Sequence, residues 1–186
     1  MAGSPFGLRE VCSFPSRAFA SVWCERRQRA LFASGSEDAI LIVVVSADSD
    51  EEPFTHLIPW QAPAPAALCF DPSASWLACC VDSTLRLISM TAFVGEGPDC
   101  RDLLADRPIQ LPLETGKVPT AVAWWQADAR HPVVAVGDQT GQLLFLSLTT
   151  SKVVGKSYIV GRVCELAVCT NDDLDSVDLL VSKLFF

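Results

Sequence analysis

Eight cysteines, two histidines and a recurring aspartate are the side chains of this 186-residue chain that could bind a metal, attack an electrophile or move a proton. The cysteines stand at 12, 24, 69, 79, 80, 100, 164 and 169, and none forms a Cys-x-x-Cys pair. The Cys164-x4-Cys169 spacing has no second pair of ligands downstream, so it lacks the four donors of a structural zinc site. Most of the thiols lie inside apolar stretches such as Leu68-Cys69-Phe70 and Leu77-Ala78-Cys79-Cys80, where a cysteine behaves as a small hydrophobe. They are read as buried free thiols. His56 falls in a predicted outer strand and His131 beside Pro132 in a loop, each without a partner that would tune it for general-base work. Gly95-Glu96-Gly97-Pro98 looks like a phosphate loop but lacks the lysine and the following helix, which makes it a connector. Asp38, Asp82 and Asp138 recur at hairpin turns, where a carboxylate caps backbone N–H groups more readily than it collects a ligand. The expectation is no catalytic residue, no metal and no cofactor.

Three other side chains carry a different kind of chemistry. Ser49 lies in an acidic, turn-prone stretch, residues 46–53, with Glu52 three positions on, as an acidophilic kinase requires. A phosphate there would add about 1.5 to 2 negative charges and attract an arginine cluster. The alternative is a solvated loop that keeps the surface charged. Trp60, between prolines, and Trp125 are candidate partner contacts. Strand alternation sends one of the adjacent Trp124 and Trp125 rings inward and the other outward, and an exposed tryptophan is a good interface anchor. Trp23, Trp76 and Trp124 are read as core.

Composition bounds what these groups can serve. Half the residues are hydrophobic, and 14 basic against 22 acidic side chains leave a net charge of −8. An acidic chain whose one basic cluster is Arg26, Arg27 and Arg29 is a poor partner for nucleic acid, which is held through clustered lysine and arginine. The longest apolar run, residues 39–45, is far below the roughly 18 residues of a membrane-spanning helix. The first ten residues show no basic start followed by an apolar stretch, so no secretory signal is expected. Asn171, the only asparagine, precedes Asp-Asp and offers no glycosylation acceptor. With unpaired cysteines, this favours the reducing cytosol.

The elements that would position these side chains repeat. Residues 19–23 lead to 31–35 and 40–44; 67–70 lead to 76–80 and 85–88; 121–124 lead to 133–137 and 142–146. Each unit reads as strand, turn, strand, turn, strand, and the anchors Trp23, Phe70 and Trp124 lie 47 and 54 residues apart. That is near the roughly 40 to 50 residues of a four-stranded propeller blade. Residues 54–58, 109–113 and 153–160 supply a fourth, outer strand, where their prolines cost no ladder bond. Helical spacing is absent except for a possible turn at residues 99–106, bracketed by prolines.

A small-apolar-x-aromatic segment, an apolar-Ala-apolar-Gly strand, a turn aspartate and a closing apolar strand follow one another in Thr120-Ala-Val-Ala-Trp124, Val134-Ala-Val-Gly-Asp138 and Leu144-Phe-Leu-Ser147. This order resembles the WD-repeat β-propeller family over residues 8 to 183. No Trp-Asp dipeptide closes a unit and no Gly-His pair precedes one, so the family's structural hydrogen-bond network does not carry over. The resemblance implies an all-β chain, a partial β-propeller of about three and a half four-stranded antiparallel blades. Its units are 19–60, 66–113, 120–160 and a partial 163–183 that stops before its hairpin is complete, with 184–186 as a tail. Residues 8–14 suit the outer strand of a ring-closing blade. Such divergent propellers are similar to those at the N-termini of large vesicle-tethering, coat and organelle-biogenesis subunits. The expectation is therefore a non-enzymatic scaffold for other proteins in a cytosolic trafficking complex, as an N-terminal piece or isoform of a longer protein. The alternatives are a propeller enzyme or ligand-binding domain with a central-channel site, and a truncated isoform without independent function.

Overall fold

The computed structural model describes residues 17–48, 51–60, 63–94, 108–113, 116–125, 132–171 and 176–184. Among the described residues, three four-stranded antiparallel sheets and one two-stranded sheet follow each other along the chain. The first, blade 1, is β1 (Ala18–Cys24), β2 (Arg29–Gly35), β3 (Ala39–Ser46) and β4 (Phe54–Pro59). Blade 2 is β5 (Ala67–Phe70), β6 (Trp76–Val81), β7 (Thr84–Ser89) and β8 (Ile109–Gln110). In blade 3 the strands are β9 (Pro119–Trp125), β10 (Val133–Asp138), β11 (Gln142–Ser147) and β12 (Lys152–Tyr158). Blade 4 is the hairpin of β13 (Arg162–Asn171) and β14 (Ser176–Leu184). Every neighbouring pair is sequential and antiparallel, the up-and-down order of a propeller blade.

Covered faces explain why so many strands are continuously apolar. β3 buries five successive residues, Ile40 to Val44, because alternate side chains enter opposite sides of one sheet and both sides are occluded. Leu31, Ile42, Leu77 and Ile88 pack between blades 1 and 2. Leu85, Val134, Val136 and Leu144 pack between blades 2 and 3. Ala123, Ala135 and Leu143 meet Val163 and Leu166 between blades 3 and 4. Each fully buried Leu or Ile contributes about 1.5–3 kcal/mol relative to exposure. The tight reversals place Gln28, Asp82, Ser151 and Gly141 at positive φ, from 48° to 91°. At Gly141 the requirement is double, since an added Cβ would also run into the Ile159 carbonyl.

The outer strands are uneven. β8 shrinks to Ile109–Gln110, between Pro108 and Pro112, and Leu111 continues through one bond from its N–H to the Ser83 carbonyl, 2.7 Å. β12 carries a bulge opposite Phe145 and Leu146. Thr91–Val94 is the only helix among the described residues, a single turn under blade 1, where Phe93 is buried. The sequence reading needs one revision at blade 4. Its hairpin is formed, and Leu184 belongs to β14, paired with Arg162, rather than to a tail. Residues 8–14 and 99–106 lie outside the described residues.

Candidate functional site

The first strand of each blade runs beside the first strand of the next, β1 against β5, β5 against β9 and β9 against β13. These inner strands line an open axial cavity of about 420 Å³. Its walls are mostly small: Ala18, Ala20, Ala66, Ala67 and Ala121, with Ser21, Thr120, Cys69, Cys164 and Glu165 as the functional groups. Converging strands leave little room for bulk, so alanine is what the packing selects. Thr120 Oγ1 donates to the Val163 carbonyl at 2.5 Å, which ties blade 3 to blade 4 and occupies the hydroxyl. Burial pushes the Cys69 thiol above its ordinary range, against a backbone hydrogen bond at Trp124 that pulls it down. Cys80, fully enclosed behind it, is pushed up by burial as well. A thiol held protonated is a poor nucleophile and a poor metal ligand. Cys24, Cys69, Cys79, Cys80 and Cys164 are free, and no cluster of three His, Cys, Asp or Glu side chains among the described residues is placed to hold a metal.

His56 is half-buried between two rings, with its centroid 6.3 Å from Phe54 and 5.3 Å from Phe93. It acts as an aromatic filler between β4 and the helical turn. The three turn aspartates do not share a role. Asp138 is buried, and its Oδ1 accepts the Thr140 N–H at 2.8 Å, the Thr140 hydroxyl at 2.7 Å and the Gln142 N–H at 2.9 Å. Asp38 is exposed, and in its turn Ser36 Oγ does the capping, accepting from Asp38 and Ala39 N–H at 3.4 and 3.3 Å. Asp82 supplies a left-handed residue at φ 48°. A fourth aspartate, Asp71, went unread in the sequence. It is buried, its Oδ1 accepts the Trp76 N–H at 2.6 Å and its Oδ2 accepts from Ser73 at 3.1 Å, which closes the turn from β5 to β6. The Asp71-Pro72-Ser73 string was the signal, since Asp-Pro initiates turns.

The tryptophans divide differently from the sequence expectation. Trp60 is a correction: it is buried, 8% exposed, with Nε1 donating to the Pro63 carbonyl at 3.1 Å and the Arg86 guanidinium 5.1 Å from its ring. It closes the core between blades 1 and 2 and is not a free contact. Trp124 is buried against blade 2, whereas Trp125 is half-buried with its ring edge-on to Phe145 at 5.0 Å. The outward ring of the pair thus packs on Phe145 of β11 in its own blade and stays half-exposed. Trp23, expected in the core, is instead 46% exposed. Ser49, His131 and Gly95–Pro98 lie outside the described residues. Beside Ser49, Arg29 reaches Glu51 at 3.5 Å, an exposed pair of small energetic weight.

The fold so assembled is that of a β-propeller, with three four-stranded blades and a two-stranded fourth among the described residues. Among solved structures, the chain is similar to the Cps50 (Swd1) β-propeller domain of Myceliophteria thermophila, with a TM-score of 0.57 and 15% identity, over 90% of this chain and 48% of that one. It is also similar to apo AztD from Citrobacter koseri, with a TM-score of 0.56 and 14% identity, over 91% of this chain and 41% of that one. The chain therefore spans less than half the length of either. No protein-family model and no curated protein sequence matches it. No helix among the described residues is long and apolar enough to cross a membrane.

Proposed function

We propose that this chain is a non-enzymatic protein-interaction scaffold, a set of rigid blades that presents rim and loop surfaces to other proteins in a cytosolic membrane-trafficking or organelle-biogenesis assembly. The observation that carries this reading is an apolar patch on the rim of blade 3. There Val154, Tyr158 and Val160 are 60%, 67% and 76% exposed on and just beyond the outer strand β12. Tyrosine is enriched among interface anchors, and an outer strand held by its neighbours presents Tyr158 and the flanking valines at low entropic cost. The axial cavity supports the same reading, because its walls are mostly small side chains and burial pushes its Cys69 thiol above the ordinary range. Ser49, beside this scaffold's acidic loop, is proposed as a phosphorylation site that would recruit an arginine-rich partner.

The test is affinity purification of the intact chain from cells, with identification of the proteins that accompany it. The expected result is a reproducible set of trafficking subunits that is lost with Val154→Ser combined with Tyr158→Ser. Retention of the same set by that double variant would remove the rim from the interface. Recovery of no specific protein would overturn the scaffold reading itself.

A further inference from the structure

Blades 1, 2 and 3 each end in an outer strand, β4, β8 and β12, whose far edge pairs with no strand among the described residues. An open edge offers a row of unmet N–H and C=O groups, and proteins blunt it with shortness, proline or charge. β8 is two residues long between Pro108 and Pro112, and β4 is bracketed by Pro53 before it and Pro59 at its end. β12 is seven residues long, with no proline in or beside it. The Ile159 N–H turns inward to the Gly141 carbonyl at 2.9 Å, so by alternation the backbone groups of Lys156 and Tyr158 face outward. Charge sets this edge apart as well. Residues 139–164 carry Lys152, Lys156 and Arg162 and no aspartate or glutamate, in a chain with a net charge of −8. All three are exposed, and neither lysine meets a carboxylate among the described residues. Glu165, the next acidic residue, lies on the inner strand β13 beside the axial cavity. The Tyr158 ring is 67% exposed, yet its hydroxyl is held at 2.8 Å by Nε2 of the buried Gln142. A ring fixed before contact loses little entropy on binding.

We propose that β12 accepts an extended acidic segment of another protein as an added antiparallel strand, which rests on this rim being the interaction surface. Antiparallel is the arrangement of every pair already in the sheet. Residues two apart on a strand share a face, so the segment sets a carboxylate opposite Lys156 and an apolar side chain opposite Tyr158. Ladder bonds supply the affinity and side chains the selection. An exposed ion pair adds little energy, but like charges placed opposite each other destabilise a strand pair. Lys152 and Lys156 therefore reject a basic strand, a second β12 included, and admit an acidic one. The bulge leaves Val154 without a partner on β11, which confines regular pairing to the stretch from Gly155 to Tyr158. Val160, 76% exposed, extends the apolar contact just beyond it.

Fluorescence anisotropy of the intact chain with a labelled synthetic peptide of repeating Glu-Thr-Val-Thr tests this. The expected result is binding that weakens as salt rises. A peptide with lysine in place of glutamate binds at least about ten-fold more weakly. In an antiparallel pair the residues opposite Lys156 and Tyr158 turn their own N–H groups to β12. N-methylation of the glutamate and valine amides therefore removes binding, whereas N-methylation of the threonine amides spares it. Lys152→Glu combined with Lys156→Glu shifts the preference to the lysine peptide, with far-UV circular dichroism unchanged. Equal binding of the two N-methylated peptides would overturn strand addition. No peptide binding, beside a captured protein set that still depends on Val154 and Tyr158, would overturn it too and leave the rim interface standing.

Discussion

Trp23 in blade 1 and Trp124 in blade 3 are each the sixth residue of a seven-residue inner strand, yet one is 46% exposed and the other 7%. Their local structures are the same: antiparallel pairing to the second strand, opposite Ala30 and Val134 respectively. The difference lies one level up. Blade 2 stands against the face that carries Trp124, through Ala78, Cys80 and Leu85, whereas no described blade stands against the face that carries Trp23. Position within a repeat thus prescribes which side of the sheet a ring occupies. Whether that side is core or surface depends on the neighbouring repeat.

The comparison is broken most directly by truncating the two rings. Trp124→Ala removes a side chain that packs among Val122, Val134 and Leu144, and it should cost about 3–5 kcal/mol in urea unfolding. Trp23→Ala should cost no more than about 1 kcal/mol, since nearly half the ring is already in water. Equal losses would mean that the two blades are packed alike.

A smaller effect is expected where blade 3 meets blade 4. Gly137 abuts Val163 so closely that a methyl group built on it would overlap the valine side chain. Gly137→Ala should therefore cost about 1–3 kcal/mol, and Val163→Ala in the same chain should return part of it. A Cβ added at Gly35, the corresponding glycine at the blade 1 to blade 2 junction, would stand 2.9 to 3.4 Å from Pro65 and Leu68, so its alanine variant should be milder. A double variant no more stable than Gly137→Ala alone would show that the junction does not rest on this contact.

The turn aspartates sharpen the same contrast at the lowest magnitude. Asp138→Ala strands two backbone N–H groups in a buried turn and should cost about 1–3 kcal/mol. Asp38→Ala, in a turn capped by Ser36, should stay within about 0.5 kcal/mol. Thermal melts of the two variants side by side would expose an error in either assignment.

Much of this architecture was legible in the residues. Apolar runs of strand length, broken by Gly-Asp, Asp-Ser and Ser-Glu-Asp turns, specify hairpins through short-range sterics alone, and the near-regular spacing of the aromatic anchors specifies repetition. The thiols in apolar strings were legible for the same reason. Asp71 was missed because the recurring aspartates stand after the second strand of each blade, whereas its own turn lies between the first and second. Trp60 was misplaced because flanking prolines say where the backbone goes and nothing about what folds over the ring. Arg86, which lies over that ring, is 26 positions away in another blade.

The amino-acid order by itself determined strands, reversals and the side of each sheet on which a residue falls, because those depend on φ/ψ preference and on a two-residue alternation that acts within a few positions. Only the tertiary structure decided which of those sides are buried. That is why Trp60 is enclosed, Trp125 is half-enclosed and Trp23 faces outward. Burial is a property of two surfaces brought together across many residues, and one surface does not carry the other's coordinates.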